Sequence, residues 1–371
     1  ECRHLIMIDQ LPWHELDVDG DLKLRCRDAD ARIVEDALRK QLYQAKYFPA
    51  DKVFEPYLEL PKTIEGYHHG VVRREVTLAA DERNDVVSHS YVSQLSSESD
   101  LENLKFPDIR VDEAKDKKRW EKVSEMVSGI LPVRLTGVRM FHCGIWDDLV
   151  EAIGTDNFFF FFADEPELLH KAARRMADIC QSLIDQLTEK QLFDAYEPTV
   201  HCTGAYTDEL PQDKEKNVRP GDVWTFGLAQ MLGSVSPQMF EEYEVEYVKP
   251  LLEQFGLVYY GCCEPLHNRI DYIRKIKNVR KISMSPWADI RAGAEHIHGD
   301  YVISRKPNPA YLAAASFDPE LVRRELQETC RAAKENGCTC ELILKDVSTV
   351  QYHPERLAQW HKIAVEVAGE W

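Results

Sequence analysis

Strand-like and helix-like segments alternate through the second half of this chain, with short connections between them. Apolar, β-favouring runs end at Tyr260 and extend over Val279–Met284 and Tyr301–Ser304. A helical spacing of apolar residues runs from Pro319 to Asn336 and stops at Gly337, a residue typical of helix C-termini. Successive βαβ units require parallel strands joined by right-handed crossovers. The pattern therefore predicts an α/β fold with a parallel sheet, and several units in succession favour a closed (β/α)8 barrel of the TIM type.

Further elements in this half follow the same rules. Ser236 and Pro237 supply an N-cap and a first-turn proline for a helix whose apolar residues recur up to Phe255. Shorter helices are predicted from Leu266 to Ile276 and from about Asp289, a strand from Glu341 to Leu344, and a last helix from Pro354 through Val367.

The first half fits the alternation less cleanly. Strands are predicted at Leu5–Ile8, Val53–Leu58, Leu131–Leu135 and Asn157–Ala163, and helices at Ala29–Tyr47 and Glu165–Leu187. Between about residues 68 and 125 the pattern changes to a short alternating run and then to a charge-rich stretch, which indicates an inserted hairpin and lid. Because no Pro/Gly/Ser-rich linker divides the chain, we expect residues 1–371 to form one barrel carrying this insertion.

Composition narrows the classes of function. A chain of 371 residues with 44% hydrophobic residues can bury one large core. The formal charge of −18 disfavours nucleic acid and anionic membranes as partners. Apolar runs stay far below the roughly 20 residues needed to span a bilayer. Ten cysteines without regular spacing favour reduced thiols, and hence a cytoplasmic location, over a disulfide framework.

Two adjacent cysteines follow the apolar run that ends at Tyr260. Cys262 and Cys263 are succeeded by Glu264 and His267, so thiol, carboxylate and imidazole groups come together where a strand ends. In parallel α/β folds this end of the strand carries the chemistry, which suggests a metal site or a reactive thiol. The alternative is that both cysteines pack as small hydrophobic residues.

Other candidate residues follow the remaining predicted strands and would converge on one mouth of a barrel. Aromatic walls with a few polar groups are typical of a small-molecule pocket. Any one of these side chains has a structural alternative, as a cap, a packing group, a solvated lysine or a rim ion pair. The candidates are Trp13, His14, Glu15, His142, Trp146, His201, Asp222, Gln230, Trp287, Lys306, Lys345 and Asp346.

The run Ser236-Pro237-Gln238-Met239-Phe240, the strand ending Gly261-Cys262-Cys263-Glu264 and the helix start at Asp164-Glu165-Pro166 resemble the uroporphyrinogen decarboxylase-like superfamily. That group of (β/α)8 proteins includes decarboxylases and corrinoid-protein methyltransferases. The resemblance covers most of the chain and implies the barrel fold and a homodimer.

The methyltransferases of that group bind zinc through a His-x-Cys motif at this strand end and a further cysteine after the last strand. Here Cys263 or Cys262 matches the motif cysteine, but Gly261 or Tyr260 stands at the histidine position. The region after the last strand, Leu344–Ser348, has no cysteine. His267, Glu264 or Asp346 would have to complete an altered shell for zinc or another divalent ion.

The resemblance therefore implies a methyltransferase that moves a methyl group between a small methylated substrate and a corrinoid carried by a partner protein. In this hypothesis a cysteine-bound metal polarises the substrate heteroatom, and His14 or His201 handles a proton. A second hypothesis is a decarboxylase or other lyase that acts on a small carboxylate or a porphyrin-like substrate and holds its acid group with Lys306 and Lys345. A third is a non-catalytic protein that binds a corrinoid or another ligand. The arginine- and glycine-rich motif of the uroporphyrinogen decarboxylases is replaced here by Leu11–Asp17.

Overall fold

The computed structural model describes residues 3–17, 19–78, 83, 88–195, 198–211 and 216–370. Its strands are β1 (Leu5–Ile8), β2 (Leu58–Pro61), β3 (Ile64–Glu65), β4 (Glu75–Leu78), β5 (Ser88–Tyr91), β6 (Arg110–Val111), β7 (Val133–Thr136), β8 (Met140–Cys143), β9 (Thr199–Val200), β10 (Thr203–Gly204), β11 (Trp224–Gly227), β12 (Leu257–Tyr260), β13 (Val279–Met284), β14 (Val302–Arg305) and β15 (Cys340–Leu344).

The helices are α1 (Ala29–Tyr47), α2 (Glu113–Met126), α3 (Ile145–Ile153), α4 (Thr155–Asp164), α5 (Pro166–Glu189), α6 (Pro237–Phe240), α7 (Glu246–Leu252), α8 (Ile270–Ile273), α9 (Ile290–Ile297), α10 (Ala310–Ala313), α11 (Pro319–Glu335) and α12 (Glu355–Gly369). A π-helical segment, Glu241–Val245, joins α6 to α7.

A parallel sheet of seven strands organises the molecule, in the order β1-β15-β14-β13-β12-β11-β8. Its ladder pairs Ile8 with Leu344 and Gly227 with Tyr260. Every strand therefore points its carboxyl end towards the same edge, as the parallel α/β prediction requires. Among the described residues, β1 and β8 are the two edges of this sheet, and hydrogen bonds do not join them. A separate parallel pair, β2 and β7, lies outside it.

Helices cover the outer face of the sheet in two groups. α11 packs against α9, α12 and β15, and α12 also packs against β1. On the other side, α5 packs against α3 and α7, and α7 contacts β8 and β11. Their starts follow the capping rules that the sequence displays: Asp318 accepts hydrogen bonds from the first turn of α11, and Ser236 accepts one from Met239 N at 3.1 Å. No helix among the described residues combines the length and apolar character that crossing a membrane requires.

The predicted strand at Asn157–Ala163 is wrong, because this phenylalanine-rich run is the helix α4. Phe158 and Phe162 stand one turn apart, and their ring centroids lie 5.9 Å and 6.1 Å from that of Trp146. Phe159 and Phe160 turn outwards and are exposed. A short apolar run is compatible with a buried strand and with a helix. Here the contacts that residues on successive turns make with the tryptophan favour the helix.

The region from 68 to 125 contains an antiparallel hairpin, β4 with β5, pairing Glu75 with Tyr91. The turn predicted for this insertion lies largely outside the described residues. Val76 and Leu78 on β4 are exposed. The segment ends in α2, which packs beside β7 and α1.

A second hairpin, β9 with β10, fills the concave side of the main sheet. Val200 and Ala205 pack on the inner faces of β11 and β12. Thr203 Oγ1 donates to Glu341 Oε2 at 2.8 Å, and Lys281 Nζ reaches the same oxygen at 2.8 Å. We call Lys281 and Glu341 the inner ion pair. Each buried charge in it has an opposite charge and further hydrogen bonds, the arrangement in which burial of charge is tolerated.

Candidate functional site

Five polar side chains meet at the carboxyl edge of the sheet, and we call them the mouth cluster. Cys262 and Cys263 follow β12, Lys306 follows β14, and Lys345 and Asp346 follow β15. Both lysines retain only 3% of their accessible surface, whereas Asp346 is exposed. The strand order places these groups together although 83 positions separate Cys262 from Lys345.

The turn before the cysteines depends on a glycine. Gly261 has φ 94°, and a Cβ there would lie 2.3 Å from Leu266 Cδ1. Glu264 then fixes the following loop, since its carboxylate accepts hydrogen bonds from Cys262 N at 2.8 Å and Ala229 N at 3.1 Å. Glu264, predicted from the sequence as a metal ligand, thus has both oxygens engaged by backbone in the structure.

The two thiols and Lys345 form a chain of contacts. Cys262 Sγ lies 3.5 Å from Cys263 Sγ and 3.5 Å from Lys345 Nζ. Lys345 Nζ also lies 2.9 Å from Asp346 Oδ2, which in turn is 3.7 Å from Cys263 Sγ. Ser283 Oγ donates to Cys262 O at 2.7 Å and holds the loop from the other side. A cation is therefore placed next to a thiol pair.

This arrangement favours one thiolate in the pair. The hydrogen bond from Cys262 lowers the pKa of Cys263, with Lys345 acting in the same direction against the effect of burial. For Cys262, the hydrogen bond to Cys263 and burial raise the pKa. Burial works against the charge on Lys345, but its interactions with Cys262 and Asp346 outweigh burial and raise the pKa of the lysine. The cluster thus holds a protonated lysine beside a thiolate that forms first on Cys263.

Lys306 lies deeper, and its hydrogen bonds go to neutral oxygen atoms. Its ammonium donates to Ser283 Oγ at 2.9 Å, to Ser304 Oγ at 3.3 Å and to the hydroxyl of Tyr259. Tyr259 OH is itself 2.6 Å from Ser304 Oγ. Burial, and then the repulsion of Lys345, lower the pKa of Lys306 to about 8. The mouth cluster therefore contains two lysines whose positive charges are only partly balanced.

His201 reaches this region from the tip of the β9–β10 hairpin. Its ring stacks on Phe226 with centroids 4.1 Å apart, and its buried Nε2 has no hydrogen-bond partner among the described residues. Burial, followed by the charges of Lys306 and Lys345, lowers the pKa of His201 well below its ordinary value. The imidazole is therefore neutral at physiological pH, so that it can accept a proton but does not carry one into the site.

The backbone at this tip is strained. His201 and Cys202 have φ values of 41° and 69°, as the two central residues of a tight hairpin turn that ordinarily takes Asn and Gly. Cys202 packs against Met7 and Ile343, so the core holds the turn in place. Asp346 has a positive φ of 56° as well. Non-glycine residues in this conformation concentrate at functional sites, where the surrounding structure enforces them.

His142, on the edge strand β8, is exposed beside this cluster. Its ring centroid lies 5.4 Å from that of Phe226, on which His201 also stacks. β8 has no hydrogen-bonded neighbour on its outer side within the described main sheet. His142 and His201 are thus brought together by the fold, as the sequence-based site predicted them to converge.

Trp13, His14 and Glu15 form a short turn after β1. Glu15 is buried and accepts hydrogen bonds from Thr349 Oγ1 and Val350 N, each at 2.7 Å, so it holds the segment that follows Asp346. His14 Nε2 lies 3.6 Å from Glu15 Oε1. Trp13 packs edge-on against Tyr43. These residues shape the rim that carries Asp346 and do not contact the thiols in this structure.

The remaining candidates lie apart from the mouth cluster. Trp146 is fully buried and donates from Nε1 to Tyr243 O at 2.8 Å. Asp222 accepts a hydrogen bond from Arg219 N at 2.8 Å in the turn before β11, at the opposite edge. Gln230 is exposed after β11, and Trp287 is 72% exposed after β13. Tyr259, Ser283 and Ser304 belong to the site without having been predicted, although alternation along β12 does mark Tyr259 as sharing a face with Leu257.

The family resemblance implies a zinc ion, but the donor set does not fit one. Among the described residues, no group of three or more histidine, cysteine or acidic side chains is arranged to hold a metal. Glu264 is engaged by backbone, and the pKa of His267 is lowered by burial with Asp289 and Arg269 as its charged neighbours, away from the thiols. The Lys345 ammonium, 3.5 Å from Cys262 Sγ, places positive charge where a cation would have to sit. We therefore derive no chemical step through a metal.

Comparisons with known proteins show the fold. A scan against protein-family models found no match, and neither did a search of curated proteins. A solved structure, a methyltransferase from Methanosarcina mazei, is similar with a TM-score of 0.53 and 10% sequence identity. The alignment covers 100% of this chain and 94% of that one. At this identity the likeness establishes a shared α/β architecture over the whole chain.

Proposed function

We propose that this protein is an enzyme of the uroporphyrinogen decarboxylase-like superfamily that transfers a methyl group between a small methylated substrate and a corrinoid carried by a partner protein. The fold shared with a methyltransferase and the motifs around Ser236 and Gly261 support the superfamily. The corrinoid, its carrier and a homodimeric state rest on the resemblance alone. We also propose that the seven-strand sheet and the β2–β7 pair belong to one (β/α)8 barrel, and that the free thiols serve in the cytoplasm.

The observation that carries this proposal is the protonated Lys345 beside the thiol pair at the carboxyl edge of the sheet. When the bond between a methyl carbon and a substrate heteroatom breaks, its electron pair stays on the heteroatom. A buried ammonium stabilises that developing negative charge far better than water does, because the local dielectric is low. Lys345 would fill the role that the sequence analysis assigned to a metal.

The other members of the site have separate roles in this account. In the reverse direction, the methyl group moves from the corrinoid to the substrate heteroatom, which must first lose its proton. Neutral His201 accepts that proton. Asp346 holds the Lys345 ammonium at 2.9 Å and orients it. Lys306, Tyr259, Ser283 and Ser304 keep the floor of the site rigid and positively charged.

A panel of methylated amines, alcohols, thiols and methoxy-aromatic compounds, incubated anaerobically with a reduced corrinoid, tests the proposal. Methylation of the corrinoid changes its visible spectrum, and we expect at least one donor to give turnover that Lys345→Met lowers by about 10²-fold. The matched control is Lys117→Met, because Lys117 is a surface lysine with a 76% exposed side chain. Failure of every donor with the wild-type protein would contradict methyl transfer.

A second candidate function is favoured by Lys306 and Lys345 themselves. Two buried lysines, one of which hydrogen-bonds to hydroxyl and carbonyl oxygens, suit an anionic substrate such as a small carboxylate. A lyase of this kind would release carbon dioxide without corrinoid and would lose activity on Lys345→Ala. Tight binding of a carboxylate or corrinoid without turnover would instead favour a ligand-binding protein.

A further inference from the structure

Cys262 and Cys263 are neighbours both in the chain and in space. Their sulfur atoms lie 3.5 Å apart, beside the Lys345 ammonium. Cys263 is half-buried, while among the described cysteines only Cys26 is more exposed and the rest are buried. An oxidant that enters the mouth therefore meets Cys263 first and finds a second sulfur within reach.

We propose that the Cys262–Cys263 pair is a site of reversible oxidation by peroxides, closing to a disulfide between adjacent residues. The proposal does not depend on the function proposed above, because it concerns only the chemistry of the two thiols and of the cation beside them.

The reaction balances with hydrogen peroxide as the two-electron oxidant. The Cys263 thiolate sulfur attacks one peroxide oxygen, the O–O bond breaks, and the departing hydroxide takes a proton to form water. Cys263 is then a sulfenic acid. The Cys262 sulfur attacks the Cys263 sulfur, the S–O bond breaks, and a second hydroxide leaves as water once protonated. Two thiols and one peroxide thus give one disulfide and two waters.

The positions of the neighbouring charges suit both steps. Lys345 Nζ is 3.5 Å from Cys262 Sγ, so the ammonium favours the thiolate form of the pair and stabilises the hydroxide that leaves. Asp346 Oδ2, 3.7 Å from Cys263 Sγ, can accept the proton of that thiol. Ser283 holds the Cys262 carbonyl and keeps the loop closed on this arrangement.

The product would be easily reduced. Consecutive Cα atoms are about 3.8 Å apart across a trans peptide, whereas disulfides usually join Cα atoms about 4.4–6.8 Å apart. A bridge between neighbours is therefore strained, and strained disulfides have more oxidising potentials than structural ones. Such a bond suits a site that switches between two states in a reducing compartment. Its formation would remove the thiolate next to Lys345.

Peptide mass spectrometry of the full chain tests this proposal. Tryptic cleavage leaves residues 217–269 as one peptide, in which Cys262 and Cys263 are the cysteines. After peroxide treatment we expect the mass of this peptide to fall by two hydrogens and its cysteines not to react with iodoacetamide. After reduction, iodoacetamide should add two labels. Cys262→Ser should stop at a Cys263 sulfenic acid that dimedone traps. Cys263→Ser should leave Cys262 free, and the matched control Cys26→Ser should behave as the wild type.

Three results would overturn the proposal. They are two iodoacetamide labels on the peptide after peroxide, direct conversion of Cys263 to the sulfinic acid in the wild type, and a bridge from either cysteine to another residue. Circular dichroism melting of each variant verifies that the labelled protein is folded. The wild type unfolded in urea shows the labelling expected when the two thiols and Lys345 are no longer held together.

Discussion

The concave side of the sheet contains two buried polar clusters that differ in how their charges are balanced. Glu341 and Lys345 stand four residues apart, roughly 13 Å along the strand direction of β15. At the inner position, Lys281 and Glu341 neutralise each other at 2.8 Å with Thr203 as an additional donor. At the mouth, Lys345 contacts one exposed carboxylate and the thiol pair, whereas Lys306 donates to the hydroxyl groups of Tyr259, Ser283 and Ser304. The contrast teaches that burial alone does not mark a functional group, whereas incomplete charge balance at the carboxyl edge does.

The largest expected effect is on the inner ion pair. Glu341→Ala leaves the Lys281 ammonium, whose side chain is 12% exposed, without its charged partner and should lower the free energy of unfolding by about 3 kcal/mol, the low end for a broken buried pair. Urea denaturation measures this change. The double variant Lys281→Met/Glu341→Leu should recover most of the loss, because it removes both charges together. A loss below about 1 kcal/mol for Glu341→Ala would show that the inner pair contributes little to stability.

Lys306 should impose a pH dependence on stability that the inner pair lacks. Its pKa falls from 10.5 in the unfolded chain to about 8 in the folded protein. Between pH 8 and 10.5 the unfolded chain binds the Lys306 proton and the folded protein does not, so the free energy of unfolding rises with pH over this range. Below pH 8 it is lower by roughly 3 kcal/mol than above pH 10.5.

Lys306→Met isolates this effect. The difference in melting temperature between wild type and Lys306→Met should change in favour of the wild type as the pH rises from 8 to 10.5, and it should stay constant below pH 8. A constant difference across the whole range would mean that Lys306 keeps an ordinary pKa in the folded protein.

Lys345→Met should affect activity more than stability. Because Asp346 is exposed, water can replace the Lys345 ammonium as the partner of its carboxylate. Removal of Lys345 should therefore change the free energy of unfolding by less than about 1 kcal/mol. Methyl transfer should fall by about 10²-fold, the cost of losing one group that stabilises developing charge. Parallel denaturation and rate measurements decide the matter, and a large loss of stability with unchanged turnover would reverse the assignment of the two clusters.

The smallest effect is expected outside the concave side, on the β4–β5 hairpin. Val76→Thr together with Leu78→Thr replaces two exposed side chains and should alter the free energy of unfolding by no more than about 0.5 kcal/mol. Urea denaturation measures it. A loss above 1.5 kcal/mol would show that this face is covered by protein in solution.

Much of the framework is predictable from local rules. The helix α1 begins after Asp28 and ends at Tyr47, and β13 spans Val279–Met284, because caps and apolar periodicity express local preferences. The predicted strand at Asn157–Ala163 failed because its helical register depends on contacts with Trp146, which are distant in sequence. Closure of a barrel between β1 and β8 rests on the repeat and stays a prediction.

The site was predictable in part. Cys262, Cys263, Lys306, Lys345 and Asp346 follow strand ends, and a parallel sheet brings such positions to one edge. Their grouping into a thiol–lysine site was not predictable, because it depends on which of two adjacent cysteines faces Lys345. The placement of His201 was also hidden, since the His201–Cys202 dipeptide is unusual for the left-handed turn that the core imposes on it.

The most direct test of the central claim is the pH profile of Cys263 alkylation by iodoacetamide, followed by mass spectrometry of residues 217–269 in wild type and Lys345→Met. We expect the wild-type midpoint to lie below the roughly 8.5 of an ordinary thiol and to rise in the variant, because the cation beside the pair is lost. A midpoint at or above the ordinary value in the wild type, or no change in the variant, would contradict the account of the mouth cluster as a charged, reactive site.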